Sequence, residues 1–158
     1  MTEAGIPDEI KALIGTTTEP VIMEVERGAI RRFADAIEDP NPLYRDVEYA
    51  KNSRYGEIIC PIGFFGWPLK GGSLEQMMNT LMPAMTKAGL FRILDGGIEY
   101  EYFLPIRAGD TLTCYGKIAD IREREGKSGK MLFMTLEQTY LNQNGDKVAI
   151  ARATIIAR

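Results

Sequence analysis

Lys147-Val148-Ala149-Ile150-Ala151-Arg152-Ala153-Thr154-Ile155-Ile156-Ala157 sets Val148, Ile150, Arg152, Thr154 and Ile156 on one face, and Ala149, Ala151, Ala153, Ile155 and Ala157 on the other. A period of two is the mark of a strand, and a second face made only of small or apolar residues predicts that both faces are covered. Asn144-Gly145 just ahead is a strong hairpin signal. Further back, strands are predicted at 91–104, 110–124 and 130–142, joined through Arg107-Ala108-Gly109-Asp110 and Gly126-Lys127-Ser128-Gly129. Strands this long exceed the usual length of about 5–6 residues, so the sheet is expected to curve strongly and to wrap around something.

The segment best suited to be wrapped is Ile62 to Leu69, which is almost wholly apolar. A helix that is apolar all round is a buried helix, so a central helix is predicted over about 62–70, ended by Lys70-Gly71-Gly72. Upstream, Val21, Met23 and Val25 alternate as a strand, and Ile30, Phe33, Ala34 and Ile37 follow helical spacing until Asp39-Pro40. Asp46 is placed to cap a short helix, and Glu57 to Cys60 reads as a short buried strand. Ser73-Leu74-Glu75-Gln76 has capping-box form with Ser73 as N-cap, ahead of an apolar stripe through Met77, Leu81 and Met85. The whole is one α+β domain, 1–158, with residues 1–19 as an N-terminal extension carrying a short opening helix.

Composition excludes several chemistries. The chain has 158 residues and no histidine, so Ser-His-Asp triads, Cys-His dyads and His-ligated metal sites cannot be built from it alone. Cys60 and Cys114 are too few for a thiolate zinc site and both lie in apolar surroundings, which suits inert packing in a reducing cytoplasm. A net charge of -3 opposes a nucleic-acid footprint. No apolar run reaches the roughly 20 residues of a membrane span, and no basic signal region opens the chain.

Asp39-Pro40-Asn41-Pro42-Leu43-Tyr44-Arg45-Asp46, followed by Tyr55-Gly56-Glu57-Ile58-Ile59-Cys60-Pro61, resembles the MaoC-like (R)-specific enoyl-CoA hydratase and hydroxyacyl dehydratase family. That family's motifs read D-x-N-P-x-H-x-D and F-G-x-x-I-A-H-G. The stretch from Leu94-Asp95-Gly96-Gly97 to Arg107-Ala108-Gly109-Asp110 resembles its MaoC dehydratase N-terminal-domain branch. The resemblance spans residues 18–157 and implies a single hot-dog domain, a curved antiparallel sheet around a central helix.

The resemblance implies an acyl-CoA or acyl-carrier-protein thioester as substrate, with no cofactor. It places the family's catalytic Asp on Asp39 and its catalytic His on Tyr44, with Asn41, Pro61, Ile62, Gly63 and Phe64 as substrate-binding positions. The family's second-motif His falls on Pro61. In the family, Asp and His activate water while the first amide of the central helix polarises the thioester oxygen, which here points to the Ile62 or Gly63 N–H. Tyr44 is not an equivalent base: with reference pKa values of about 10 for Tyr and about 6.5 for His, roughly one phenol in a thousand is ionised at neutral pH. The expected role is an acyl-thioester-binding subunit of a hydratase or dehydratase, as a heterodimer with a His-bearing MaoC-like subunit, or as a homodimer. Alternatives are a non-catalytic acyl-CoA-binding homodimer and a weak stand-alone hydratase or thioesterase using Asp39. Gly96-Gly97 reads as a turn or a bulge, and Arg31-Arg32 as a solvated face suited, if near the pocket mouth, to CoA phosphates.

Overall fold

The computed structural model describes residues 5–127 and 129–158. A six-stranded antiparallel sheet runs in the order β2-β1-β4-β5-β6-β3. Its strands are β1 (Val21–Glu24), β2 (Trp67–Pro68), β3 (Ile93–Tyr102), β4 (Thr111–Gly126), β5 (Gly129–Leu141) and β6 (Lys147–Ala157). The helices are α1 (Asp8–Lys11), α2 (Arg27–Ala36), α3 (Val47–Lys51) and α4 (Ser73–Lys87), with a 3₁₀ turn at Pro42–Tyr44. The expected long strands and the Asn144-Gly145 hairpin are present, with Gly145 at φ 81°. Ser128 of the predicted β4–β5 turn lies outside the described residues, as do residues 1–4 of the extension.

Inward-facing residues of β5 and β6 alternate large with small. Leu132, Met134, Leu136 and Tyr140 pair with Ala157, Ile155, Ala153 and Ala149, so alanines make room beside bulkier neighbours. Both faces of β6 are buried only around Val148–Ile150; farther along, Arg152, Thr154 and Ile156 remain partly exposed. At Gly96-Gly97 the β3–β6 pairing slips between Asp95 and Ile98, a bulge. A Cβ at Gly96 would stand 2.8 Å from Thr154 Cγ2 and 2.9 Å from the Thr154 carbonyl oxygen.

The central helix is not where the apolar run placed it. Residues 62–70 form a turn and the two-residue strand β2. Gly63 and Gly66 adopt left-handed φ values of 87° and 83°, which no α-helix contains. The Leu69 N–H donates to the Ile22 carbonyl at 3.0 Å, continuing the β1–β2 ladder begun by Glu24–Trp67 and Met23–Pro68. Gly66 passes so close to β1 that a Cβ there would lie 2.4 Å from the Glu24 carbonyl oxygen. Of the apolar run only the centre is buried, at Phe64 and Phe65; Ile62, Trp67 and Leu69 are exposed.

The helix on the concave face is instead α4, whose buried Met77, Leu81 and Met85 pack on Ile118, Ile121, Leu132, Met134 and Leu136. Pro83 sits inside it without ending it. Gly72, not Ser73, is the N-cap. Ser73 lies one residue inside the helix and turns its hydroxyl toward the sheet, accepting from Gln138 Nε2 at 2.7 Å and lying 3.2 Å from Cys114 Sγ. The N-terminal segment is integral as well. Ile10 is fully buried beside α4, and Gly15 and Thr18 donate to the carbonyls of Ile118 and Gly116 on β4.

The placement of residues 62–70 is testable. Gly66→Ala forces a side chain onto the β1 backbone at a left-handed φ and is expected to lower unfolding free energy by about 2 kcal/mol or more in urea titrations. Were the segment helical, the same change would raise stability by about 1 kcal/mol.

Candidate active site

The Asp39 segment is shaped by the end of α2. Glu38, at φ 55°, is the left-handed residue that terminates the helix; its N–H donates to Asp35 and that of Asp39 to Ala34, the paired bonds of a Schellman stop. The chain then turns on its own side chains. Asp39 Oδ1 accepts the Asn41 N–H at 3.0 Å, and Asn41 Oδ1 accepts the Leu43 N–H at 3.0 Å, capping the 3₁₀ turn that carries Tyr44. Arg45 clamps the outside, donating to the Asp39 carbonyl at 2.7 Å and to Asp35 Oδ1 at 2.7 Å. Asp46 caps α3 through the Tyr49 N–H at 3.0 Å, as its spacing predicts.

This hook is tied to the second motif by the Ile59 N–H, which donates to Leu43 O at 3.2 Å. Glu57 to Cys60 pair with 106–108 through an isolated bridge, Ile59 with Arg107, rather than as a full strand. Cys60 N donates to Ile106 O, and Ala108 N to Ile58 O, both at 2.8 Å. Pro61 is buried and accepts from Phe64 N, while Phe64 is a core residue stacked on Phe33 at 5.0 Å. Ile62 is 72% exposed.

Asp39, Asn41 and Tyr44 are therefore brought together. The pKa of the Tyr44 hydroxyl is raised above the usual phenol value by burial and by the neighbouring Asp39 charge, against a lowering influence of the Asn41 side chain. Tyr44 thus remains protonated at neutral pH and can donate a hydrogen bond but not remove a proton. Beside it, Tyr44 lines a cavity of about 210 Å³ with Arg27, Gly28, Arg31, Arg45, Val47 and Ile58. Arg27 and Arg45 are paired with Glu57 and Asp35, whereas Arg31 makes no ion pair among the described residues.

The Gly63 N–H does not begin a helix; it donates to the hydroxyl of Tyr102 at 2.9 Å. Tyr102 and Tyr100 project from the inner face of β3 across the small Ala149 and Ala151 of β6. Phe65 is stacked between Tyr140 at 4.0 Å and Tyr102 at 5.8 Å. Burial pushes the Tyr102 hydroxyl up to about 12 despite the Gly63 bond, with smaller contributions from Tyr100, Cys60 and Tyr44. Burial also raises Cys60, Tyr100 and Tyr140, and Cys114, so neither thiol is primed as a nucleophile. Sequence reasoning did not single out Tyr102. Its signal is the alternation Glu99-Tyr100-Glu101-Tyr102, which puts two phenols on the face opposite two carboxylates.

With this geometry in view, residues 12–151 match the family described as FAS1-like, dehydratase domain region. The chain belongs to that family. A UPF0336 protein of Thermobifida fusca is 34% identical over 139 residues, covering 88% of this chain and 86% of that protein. Among solved structures, a chain of the ChsH1-ChsH2 complex of Mycobacterium tuberculosis aligns with TM-score 0.76 and 17% identity over 94% of this chain and 93% of its own. A chain of the C-terminally truncated HadBC (3R-hydroxyacyl-ACP dehydratase) complex from the same organism aligns with TM-score 0.68 and 20% identity, over 91% and 96%. The shared architecture is the hot-dog fold, a curled antiparallel sheet with a helix in its hollow. In this FAS1-like dehydratase domain that helix is α4. No described helix is long and apolar enough to cross a membrane, and no described group of His, Cys, Asp and Glu is arranged to hold a metal ion.

The raised phenol pKa values carry a pH prediction. Below the ordinary value of 10.0 Tyr102 is protonated in both folded and unfolded chains, and its contribution is fully present. Between 10.0 and about 12 the unfolded chain releases a proton that the folded chain retains, so stability falls as pH rises through that window. Urea midpoints are expected to decline above pH 10.0, with a shallower decline in Tyr102→Phe.

Proposed function

We propose that this FAS1-like dehydratase domain is the acyl-thioester-binding subunit of an (R)-specific enoyl-CoA hydratase or 3-hydroxyacyl dehydratase, completed by a MaoC-like subunit that carries the histidine. The observation that carries this reading is the Asp39–Asn41–Tyr44 hook: its Asp and Asn stand as the family motif has them, while the His position holds a phenol kept protonated by burial and by Asp39. Hydration of an α,β-unsaturated thioester needs a base to take a proton from water as its oxygen bonds to the β-carbon. It also needs a proton for the α-carbon and donors for the charge that builds on the thioester oxygen. Asp39 can orient the water and accept from it, and Tyr44 can donate, but neither replaces a neutral imidazole at pH 7.

The sheet offers a place for the second subunit. β3 is an edge strand of ten residues, and Leu94 and Ile98 along it are exposed, a condition that folded proteins generally relieve by pairing or covering the edge. The two structural neighbours come from complexes named for two subunits, HadBC and ChsH1-ChsH2, which supports pairing with a different chain over a homodimer. The arginine-lined cavity beside Tyr44 suits an anionic carrier, the phosphates of CoA or of a carrier-protein phosphopantetheine.

Hydration of crotonyl-CoA, followed as loss of enoyl absorbance, tests the reading. The isolated chain is expected to be about 10²-fold or more below its complex with a His-bearing MaoC-like subunit. Asp39→Asn in the complex is expected to lower kcat further if Asp39 shares in water activation. Robust hydration by the isolated chain, abolished by Tyr44→Phe, would overturn the division of labour.

A further inference from the structure

We infer that the Tyr102 hydroxyl, polarised from behind by the Gly63 N–H, is the donor that polarises the thioester carbonyl bound by this chain. The inference rests on the acyl-thioester reading above and assigns to a side chain the task that the family resemblance gives to a helix amide.

In this fold the Gly63 amide is not available as a bare donor. Its N–H is taken by Tyr102 Oη at 2.9 Å, and the segment that would have presented it as a helix terminus is a left-handed turn. The phenol that takes it still has a proton. A phenol oxygen can accept one hydrogen bond through a lone pair while its own O–H donates elsewhere. Among the described residues the Tyr102 O–H finds no protein acceptor, and the side chain stays about one-third exposed, at 36% for the residue. Donation into the oxygen strengthens donation from it, because a hydrogen-bonded chain polarises along its length. The pair therefore acts in series: Gly63 N–H to Tyr102 Oη, then Tyr102 O–H to the carbonyl oxygen.

The surroundings hold that geometry. Gly63 is a glycine at φ 87°, and a Cβ on it would stand 3.4 Å from Tyr100 Oη, so both phenols close over the same backbone turn. Phe65 lies nearly parallel to the Tyr102 ring, at an interplanar angle of 8°, and fixes its plane. Ala149, paired with Tyr102, is too small to tilt it. Phe65, which stacks on Tyr102, belongs to the buried cluster against which Tyr44 and Cys60 also pack, so the donor and the Asp39 hook lie on the same side of the core. A neutral phenol in an apolar wall suits an oxyanion donor, since a fixed dipole needs no reorganisation as charge develops.

The test binds crotonyl-CoA labelled with carbon-13 at the carbonyl to the full chain and reads the carbonyl chemical shift and stretching frequency. The wild type is expected to move the carbonyl downfield and lower its stretching frequency. Tyr102→Phe should lose most of that change while still binding crotonyl-CoA, and 3,5-difluorotyrosine at 102, a stronger acid and donor, should enlarge it. Tyr115→Phe, on the exposed side of β4, serves as the control that leaves it unchanged. In the complex with the His-bearing subunit, Tyr102→Phe should reduce kcat by about 10²-fold with little change in KM. A wild-type carbonyl shift that survives in Tyr102→Phe overturns this inference alone. Failure of the wild type to bind crotonyl-CoA overturns the thioester reading and takes this inference with it.

Discussion

The arrangement of the whole molecule depends on one close crossing, that of α4 over Gly116 in the middle of β4. A Cβ at Gly116 would lie 2.8 Å from Thr18 Cγ2 and 3.1 Å from both Met77 Cε and Ser73 Cβ. Only glycine lets the first turn of α4 and the N-terminal segment meet the sheet together. The same contact turns Ser73 onto Cys114 and Gln138, which satisfies the hydroxyl inside the fold and anchors the end of the helix.

That crossing divides the concave face. On one side α4 builds a core of methionine, leucine and isoleucine with Ile10 beneath it. On the other side α2, Phe64, Phe65, Tyr140 and the alanines of β6 build a second cluster against the start of the sheet. The candidate site lies on this second side, where the turn at residues 61–66 fills the space that the helix leaves. Because that turn is left-handed at Gly63 and Gly66, its amide points at a tyrosine on β3 and its backbone abuts β1. Site chemistry and core packing thus share one cause.

The charges are disposed to match. On the outer sheet surface Arg152 bridges Glu101 and Glu137, at 3.0 and 2.9 Å, a solvated network of small energetic weight. Facing inward, β3 carries phenols whose charged forms burial opposes. Glu38 holds a left-handed conformation that favours glycine, next to Asp39, and such a strained residue beside a candidate functional group is a recurrent pattern.

Local pattern was enough for much of this. The period-two runs from 91 onward, the Asn144-Gly145 turn, the helix ending before Asp39-Pro40, the Asp46 cap and the Gly96-Gly97 bulge are all readable from neighbouring residues, because each is decided by local backbone sterics or by pairing period. The missing histidine is a matter of composition, and Asp39, Asn41 and Tyr44 were marked as site positions by the family resemblance; the Asx turns that hold them reach only two or three residues along the chain. What the sequence could not decide is which apolar segment fills the hollow. Ile62 to Leu69 and the Met77 stripe are both apolar enough to be buried, and the outcome turns on contacts 42 and 43 positions apart, Glu24 O against Gly66 and Gly116 against Ser73 at the start of α4. The meeting of Gly63 with Tyr102, 39 residues away, is of the same kind. Sequence by itself determined the curved sheet, the helix stop and the loss of the imidazole; the tertiary structure decided which helix is central and which group the Gly63 amide serves, because close packing between distant backbones, not local propensity, sets those positions.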